Sequence, residues 1–337
     1  MTVTLKRHDA EIYVDDLPNG KKRITVNASD KSIFVPFKSC ETSYPLELIE
    51  LILDVKGPGY LCDEIMRDED PTHVENILKA SILGYLSEDD FEHKRLLDFG
   101  CSSGASTMIL RRMFPKTQIV GIDIDNAVLS VARQRAHYYG FDDVTFLLSP
   151  SGTQVPEKIG RFDFVVLSAV YEHLLPDERG TILPQIWSVI KPGGVLFVNQ
   201  TPNRYFPVET HTTHLPLINY LPDQMALTVA HRFSKRVKKN EPWEMLLREG
   251  IRGATEHEIL ELSRKTCHCP VELLEPSRMG FRDRIDLWYA MPAFGLDGRL
   301  AMLRPIFKLA FKGLKLVSGV TFLPSFAIAI RRVGTSF

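Results

Sequence analysis

The sequence has no long uncharged apolar run. The nearest approach, "LVSGVTFLPSFAIAI" at Leu316 to Ile330, is interrupted by Gly319 and Pro324, whereas a bilayer core needs about 20 consecutive apolar residues. It reads as buried strand and turn. Net charge is almost absent too: 41 Lys and Arg against 42 Asp and Glu leave -1, so no overall field draws the chain to nucleic acid, and no nucleic-acid acceptor is expected. Cysteine is sparse. Five residues (Cys40, Cys62, Cys101, Cys267 and Cys269) are scattered over 337, which is no disulfide framework and points to a reducing cytoplasm. The opening "MTVTLKRHDAEIYVDD" lacks the apolar centre of a signal peptide. Repeats and low-complexity tracts are also missing. What remains, 44% hydrophobic and 25% charged residues, is the composition of a soluble globular protein.

Four regions follow from the patterning. Residues 1–90 form an N-terminal extension, with a small strand pair expected in "KRITVNASDKSIFVPF" (Lys22 to Phe37). A helix is expected in "PTHVENILKASILGYL" (Pro71 to Leu86), where apolar residues recur at helical spacing and Asp70 or Thr72 can cap the start. Over 91–200 short apolar strands alternate with helices: "RLLDFG", "QIVGID", "VTFLLS", "RFDFVVLS" and "VLFVNQ" are the strands. Parallel crossovers need covering helices, so this alternation predicts an α/β, doubly wound, mainly parallel sheet with its ligand at the carboxyl ends of the strands. Residues 201–286, rich in His, Pro and Arg, read as a substrate-binding insertion over those ends. Residues 287–337 hold an amphipathic helix and a closing strand, "FAIAIRRV".

The loop in "LLDFGCSSGAST" (Leu96 to Thr107) admits three readings. A Walker phosphate loop needs Gly-Lys-Ser/Thr, and the lysine is missing. A nicotinamide-dinucleotide fingerprint needs three glycines, but Gly100 is followed at the other two positions by Ser102 and Ala105. The third reading starts from Asp98. A carboxylate ahead of the turn repels a pyrophosphate and attracts a cationic amino-acid moiety. Asp123, ending the next strand in "VGIDID", can accept both hydroxyls of a ribose.

With these residues the chain resembles the class I S-adenosylmethionine-dependent methyltransferases. The matching stretches are "LLDFGCSSG", "VGIDID", "FDFVVLSAVYEHL" and "IKPGGVLFV", in order along Leu96 to Asn199. The resemblance implies a seven-stranded Rossmann-like methyltransferase sheet with its last strand antiparallel, and S-adenosylmethionine as cofactor. It implies that Asp98, Gly100, Cys101 and Gly104 line the methionine part, Asp123 holds the ribose, Ile124 packs on adenine, and Ser168 and Ala169 lie beside the sulfonium. Two positions depart from the family. Ser102 replaces the middle glycine, and "LLSPSG" lacks the acid that often meets the adenine amine, leaving Ser149 or a backbone group for that contact.

Methyl transfer is an in-line displacement, so alignment of donor and acceptor dominates, and a hydroxyl acceptor adds the need for a base. The candidate bases are His173 in "YEHL" and His211 and His214 in "ETHTTHLP". His173 can equally be a helix-start histidine bonded to backbone. Glu209, His211 and His214 have a spacing that a metal could use, but the Pro- and aromatic-rich surroundings favour a substrate-facing loop. "CHC" at Cys267 to Cys269 lacks the second pair of a zinc finger, so no metal is assigned. Arg204, Tyr205 and Glu209 are expected to bind the acceptor.

"RLAMLRPIFKLAFKGLKLV" carries Arg304, Lys308, Lys312 and Lys315 at helical spacing. Such a helix either packs on the sheet with its cations in water or lies on an anionic membrane, inserting Phe307, Phe311, Leu314 and Leu316. The expected activity is O-methylation of a small molecule or of a saccharide or lipid-linked precursor, with the protein cytoplasmic or peripheral on the inner face of the membrane. The rivals are a catalytically silent cofactor-binding scaffold subunit and a nicotinamide-dependent oxidoreductase.

Overall fold

Seven strands of the chain come together in one sheet, and its central strands are apolar on both faces. The computed structural model describes residues 2–29, 34–267, 270–291 and 303–334. An N-terminal antiparallel sheet comprises β1 (Thr2–Lys6), β2 (Ala10–Asp16), β3 (Lys22–Ala28) and β4 (Ser39–Thr42) in that order. The small strand pair expected within Lys22 to Phe37 is therefore corrected. Lys22–Ala28 does form a strand, but it pairs with β2 and β4, whose alternating buried and exposed residues give it partners that local spacing does not reveal. Helices α1 (Leu46–Lys56), α2 (Leu61–Glu69) and α3 (Asn76–Leu83) follow. The helix expected from Pro71 opens as a wider π turn over Pro71–Glu75, and the Asp70 carboxylate accepts the Thr72 N–H at 2.9 Å.

The main sheet contains β5 (Arg95–Phe99), β6 (Gln118–Asp123), β7 (Thr145–Leu148), β8 (Phe162–Ser168), β9 (Ile190–Pro202), β10 (Val271–Leu273) and β11 (Ser325–Arg332). Its order is β10-β11-β9-β8-β5-β6-β7. Only β11 runs against its neighbours, as the resemblance implies. Successive residues of β5 serve opposite faces: Leu97 joins the core under α6 (Pro176–Val189), and Leu96 the core under α3 and α4 (Ala105–Met113). The remaining helices are α5 (Asn126–Tyr139), α7 (Asp223–Phe233), α8 (Trp243–Arg248), α9 (Glu256–Cys267), α10 (Arg284–Ala290) and α11 (Arg304–Ser318).

The strand order reverses between β5 and β8, so the crevice at their carboxyl ends is where a ligand of an open α/β sheet binds. The region 201–286 is not insertion throughout. α9 covers the sheet beside α6, and β10 is its edge strand, which leaves about residues 203–253 as the added part. No helix among the described residues is long and apolar enough to cross a membrane.

α11 inverts the sequence expectation. Lys308 and Lys312 reach Asp286 on α10 at 2.8 and 2.7 Å, and Arg304 donates to the Tyr289 carbonyl at 3.0 Å. The cations thus face inward onto a neighbouring helix. Facing outward are Ile306, Leu309, Leu316 and Val317, the last two 88% exposed. Phe311 does not insert elsewhere; it packs among Phe206, Tyr289 and Phe322.

Candidate functional site

Three residues at the carboxyl side of the sheet hold backbone that few side chains adopt. Ser102 after β5, Ala169 after β8 and Gln200 within β9 have φ of 48°, 55° and 64°. A non-glycine residue held there costs about 1–3 kcal/mol, and all three line one cavity of about 480 Å³. Ser102 thus makes the turn that a glycine makes in the related loop. Gly100, Cys101, Ser168 and His173 also line this cavity.

Asp123, at the tip of β6, faces the same space. One carboxylate oxygen accepts the Ser102 N–H at 2.8 Å and the other the Asp125 N–H at 3.1 Å. Each oxygen retains a lone pair for a further donor. The next residue, Ile124, is 61% exposed on the cavity rim, an aliphatic face without protein against it. Ser149 lies at the end of β7, and its N–H donates to the Asp123 carbonyl at 2.8 Å.

Two residues expected to contact the cofactor do not line the cavity. Asp98 does not line the cavity. It is buried behind the loop, accepting the Ser106 and Thr107 hydroxyls at 2.8 and 2.6 Å, and burial raises its carboxyl to about 6. Both hydroxyls reach the same oxygen, Oδ2, which ties β5 to the start of α4. Gly104 does not line the cavity either. A Cβ there would stand 2.7 Å from the Ala132 Cβ, so this glycine lets α5 approach the loop.

The charges at this end of the cavity come instead from the N-terminal helices. Lys56 Nζ donates to Ser102 Oγ at 2.9 Å and lies 3.1 Å from a Glu64 carboxylate oxygen. The other Glu64 oxygen accepts the Ser103 hydroxyl. Burial alone would raise the Glu64 carboxyl, but Arg135 and Lys56 outweigh it and hold it below its ordinary value. Arg135, fully buried, donates to the Ser103 carbonyl at 2.8 Å and the Glu64 carbonyl at 2.6 Å. With Arg67 also on the wall, this end offers one carboxylate and two cations. Sequence reasoning missed these residues because nothing in "LILDVKGPGYLCDEIMRDED" distinguishes them from a solvated helix face.

A second cavity, about 590 Å³, adjoins the first through Gln200, which lines both. Its walls are apolar and aromatic, with Phe206, Trp288, Tyr289, Phe307, Phe311 and Phe322. The His173 and His211 rings, one in each cavity, have centroids 5.5 Å apart. Burial pushes His211 down to about 4. Four other expectations fail here. His214, Arg204 and Tyr205 are exposed and line neither cavity, because the chain beyond β9 turns their side chains to solvent. Glu209 is buried, and its carboxylate accepts the N–H groups of His211, Thr212 and Thr213; it builds the turn and does not face an acceptor. The Cys267–Cys269 run lies outside the residues whose side chains are described.

A family model for a methyltransferase domain matches residues 96–194. Trans-aconitate 2-methyltransferase of Methylobacterium radiotolerans is 29% identical over 147 residues, 44% of this chain and 45% of the relative. Carboxy-S-adenosyl-L-methionine synthase of Erwinia tasmaniensis is 33% identical over 123 residues, 36% of this chain and 49% of the relative. The chain thus spans about half the length of the curated relatives it matches. Among solved structures, that of the plantazolicin methyltransferase BamL aligns with 85% of this chain and 96% of its own, at 13% identity and a TM-score of 0.45.

Proposed function

We propose that residues 96–194, which match a methyltransferase-domain model, form a class I S-adenosylmethionine-dependent methyltransferase core and that the protein O-methylates an acceptor with an apolar body, using S-adenosylmethionine. The carrying observation is the first cavity. It has a carboxylate with spare lone pairs at the tip of β6, an uncovered isoleucine next to it, and, from the N-terminal helices, Lys56, Glu64 and Arg67 on its wall, with Lys56 donating to Ser102. A nucleoside joined to a zwitterionic amino acid matches that donor set: Asp123 takes the ribose hydroxyls, Ile124 the adenine face, Glu64 the ammonium, and Lys56 and Arg67 the carboxylate. When bound, this cofactor supplies an electrophilic methyl group on a sulfonium.

The residues of the chain then orient the partners and exclude water. Ser168, Ala169 and Gln200 lie where the two cavities meet, and Gln200 is fixed by donating to Ser168 Oγ at 2.9 Å. The aromatic walls of the second cavity receive the acceptor, with few polar groups to satisfy a saccharide. The acceptor class this favours is lipid-linked. α11 closes that cavity with Phe307 and Phe311 and turns an uncharged apolar face outward, which suits a helix lying in a membrane interface on its cytoplasmic side.

Incubation with isotopically labelled S-adenosylmethionine and, separately, lipid and aqueous cell extracts tests the reading. Label is expected in a lipid product. Label confined to the aqueous extract would refute the lipid-linked acceptor. Binding of S-adenosylhomocysteine with no labelled product in either extract would leave a cofactor-binding scaffold.

A further inference from the structure

The geometry points to a divalent-metal site at the junction of the two cavities, formed by Glu172, His173 and His211 and suited to a borderline first-row ion such as Zn²⁺. The ion's role in binding an acceptor oxygen rests on the methyltransferase reading; the site itself does not. The three residues each offer a ligand atom, and these atoms lie within 4.8 Å of one another. Donors about 2.0–2.1 Å from a shared ion are at most about 4.2 Å apart, so small side-chain rotations close the set.

Glu172 is the first reason to read this cluster as a ligand set. It is fully buried, and its Oε2 accepts the Thr201 hydroxyl at 2.9 Å. Its Oε1 is buried without a hydrogen-bond partner, with His173 Nε2 3.9 Å away. An orphaned buried carboxylate oxygen is costly and calls for a cationic partner. His173 is the second reason. Its Nδ1 lies 2.6 Å from the Arg248 carbonyl, so that nitrogen carries the hydrogen and Nε2 presents a lone pair toward Glu172. An imidazole anchored through its other N–H to a carbonyl is the usual arrangement of a metal-binding histidine. Backbone shape is the third. Gly250 has φ of +90°, and a Cβ on it would meet His211 Cδ2 at 2.7 Å and Glu172 Cγ at 3.2 Å. The loop after α8 is kept free of a side chain where the ligands converge.

Two imidazoles and one carboxylate form a donor set for Zn²⁺, Co²⁺ or Mn²⁺ rather than Mg²⁺, which prefers oxygen ligands and water. Three protein ligands leave a position open, as in catalytic zinc sites. Because His173 lines the first cavity and His211 the second, the vacant position faces the boundary between them. An acceptor hydroxyl oxygen is the ligand of matching chemistry there. This set differs from Glu209–His211–His214, which sequence spacing had raised: Glu209 is occupied by its own turn and His214 faces solvent.

Metal-stripped protein is titrated with Co²⁺, followed by visible absorption and by metal analysis after desalting. About one ion per chain is expected, displaced by Zn²⁺ and raising the melting temperature. Glu172→Gln and His211→Ala should each weaken uptake by about tenfold or more. His211→Ala serves as the cleaner variant if the buried glutamate is needed for folding, with the metal-free melting curve as control. No stoichiometric uptake, or uptake undiminished in His211→Ala, shows an adventitious ion only and overturns the site. S-adenosylhomocysteine binding is measured on the same samples. Nucleoside binding without metal uptake sinks this site alone, and metal uptake without nucleoside binding sinks the methyltransferase reading alone.

Discussion

Replacing Asp123 by alanine separates a nucleoside-binding carboxylate from one that merely ties two loops together. In the free protein both oxygens accept backbone N–H groups, from Ser102 at 2.8 Å and Asp125 at 3.1 Å. If the remaining lone pairs take two ribose hydroxyls, the substitution removes two charge-assisted hydrogen bonds. At about 1.5–3 kcal/mol each, with some return from water entering the gap, the loss is about 3–4 kcal/mol, or about 150- to 1000-fold in Kd. Asp123→Asn is the companion variant. Its amide keeps one acceptor but turns a donor toward one of the two N–H groups, so an intermediate loss is expected. Titration calorimetry with S-adenosylhomocysteine reads the affinity, and thermal melting without ligand reads the loop tie. A stable Asp123→Ala protein that binds S-adenosylhomocysteine as tightly as the parent would refute the assignment and the methyl-donor cavity with it.

Asp98 makes stability pH-dependent. Its folded value of about 6 stands above 3.8, so the folded state holds the proton more tightly, and stability falls as pH rises through that interval. The interval corresponds to about 3 kcal/mol at neutral pH. Asp98→Asn should raise denaturant stability at pH 7.5 by up to that amount, with the gain fading as pH falls from 6 toward 4; a pH-independent difference would contradict the burial argument. Arg135→Met leaves Lys56 beside the Glu64 carboxylate but removes the donor to the buried Ser103 and Glu64 carbonyls, and should cost about 1–3 kcal/mol in urea unfolding, while a change below about 0.5 kcal/mol would show the network to be unimportant. Leu316→Asp together with Val317→Asp should abolish co-sedimentation with phosphatidylcholine vesicles. Binding by the parent that instead requires anionic lipid would show that the cations of α11, and not its apolar face, make the contact.

The doubly wound sheet was legible because its central strands are buried on both faces and spaced by crossover helices, so composition and position carry the same message. The tip of β6 stood out for a related reason: Asp123 and Ile124 stand where the chain leaves a strand, and a carboxylate there can serve a ligand as well as the N–H groups of Ser102 and Asp125. Asp98 shows the limit of that logic. From sequence it is equally an acid at a strand end, and in the fold one of its oxygens, Oδ2, accepts two hydroxyls from the first turn of α4, a tie that no local pattern records. Lys56 and Glu64 show a different limit. Their partners lie 46 and 39 residues downstream, at Ser102 and Ser103, and no local period records such a meeting. α11 shows the third. Periodicity reports that cations and apolar residues occupy different faces of a helix, but not which face is inside. Asp286 on α10 and Asp283 at its N-terminal cap decide it by drawing Lys308 and Lys312 inward, and the apolar stripe is left to face whatever lies outside. A charged pair partly shielded from solvent can thus override the usual sense of an amphipathic helix, and where it does, the exposed apolar face becomes the feature that needs a partner.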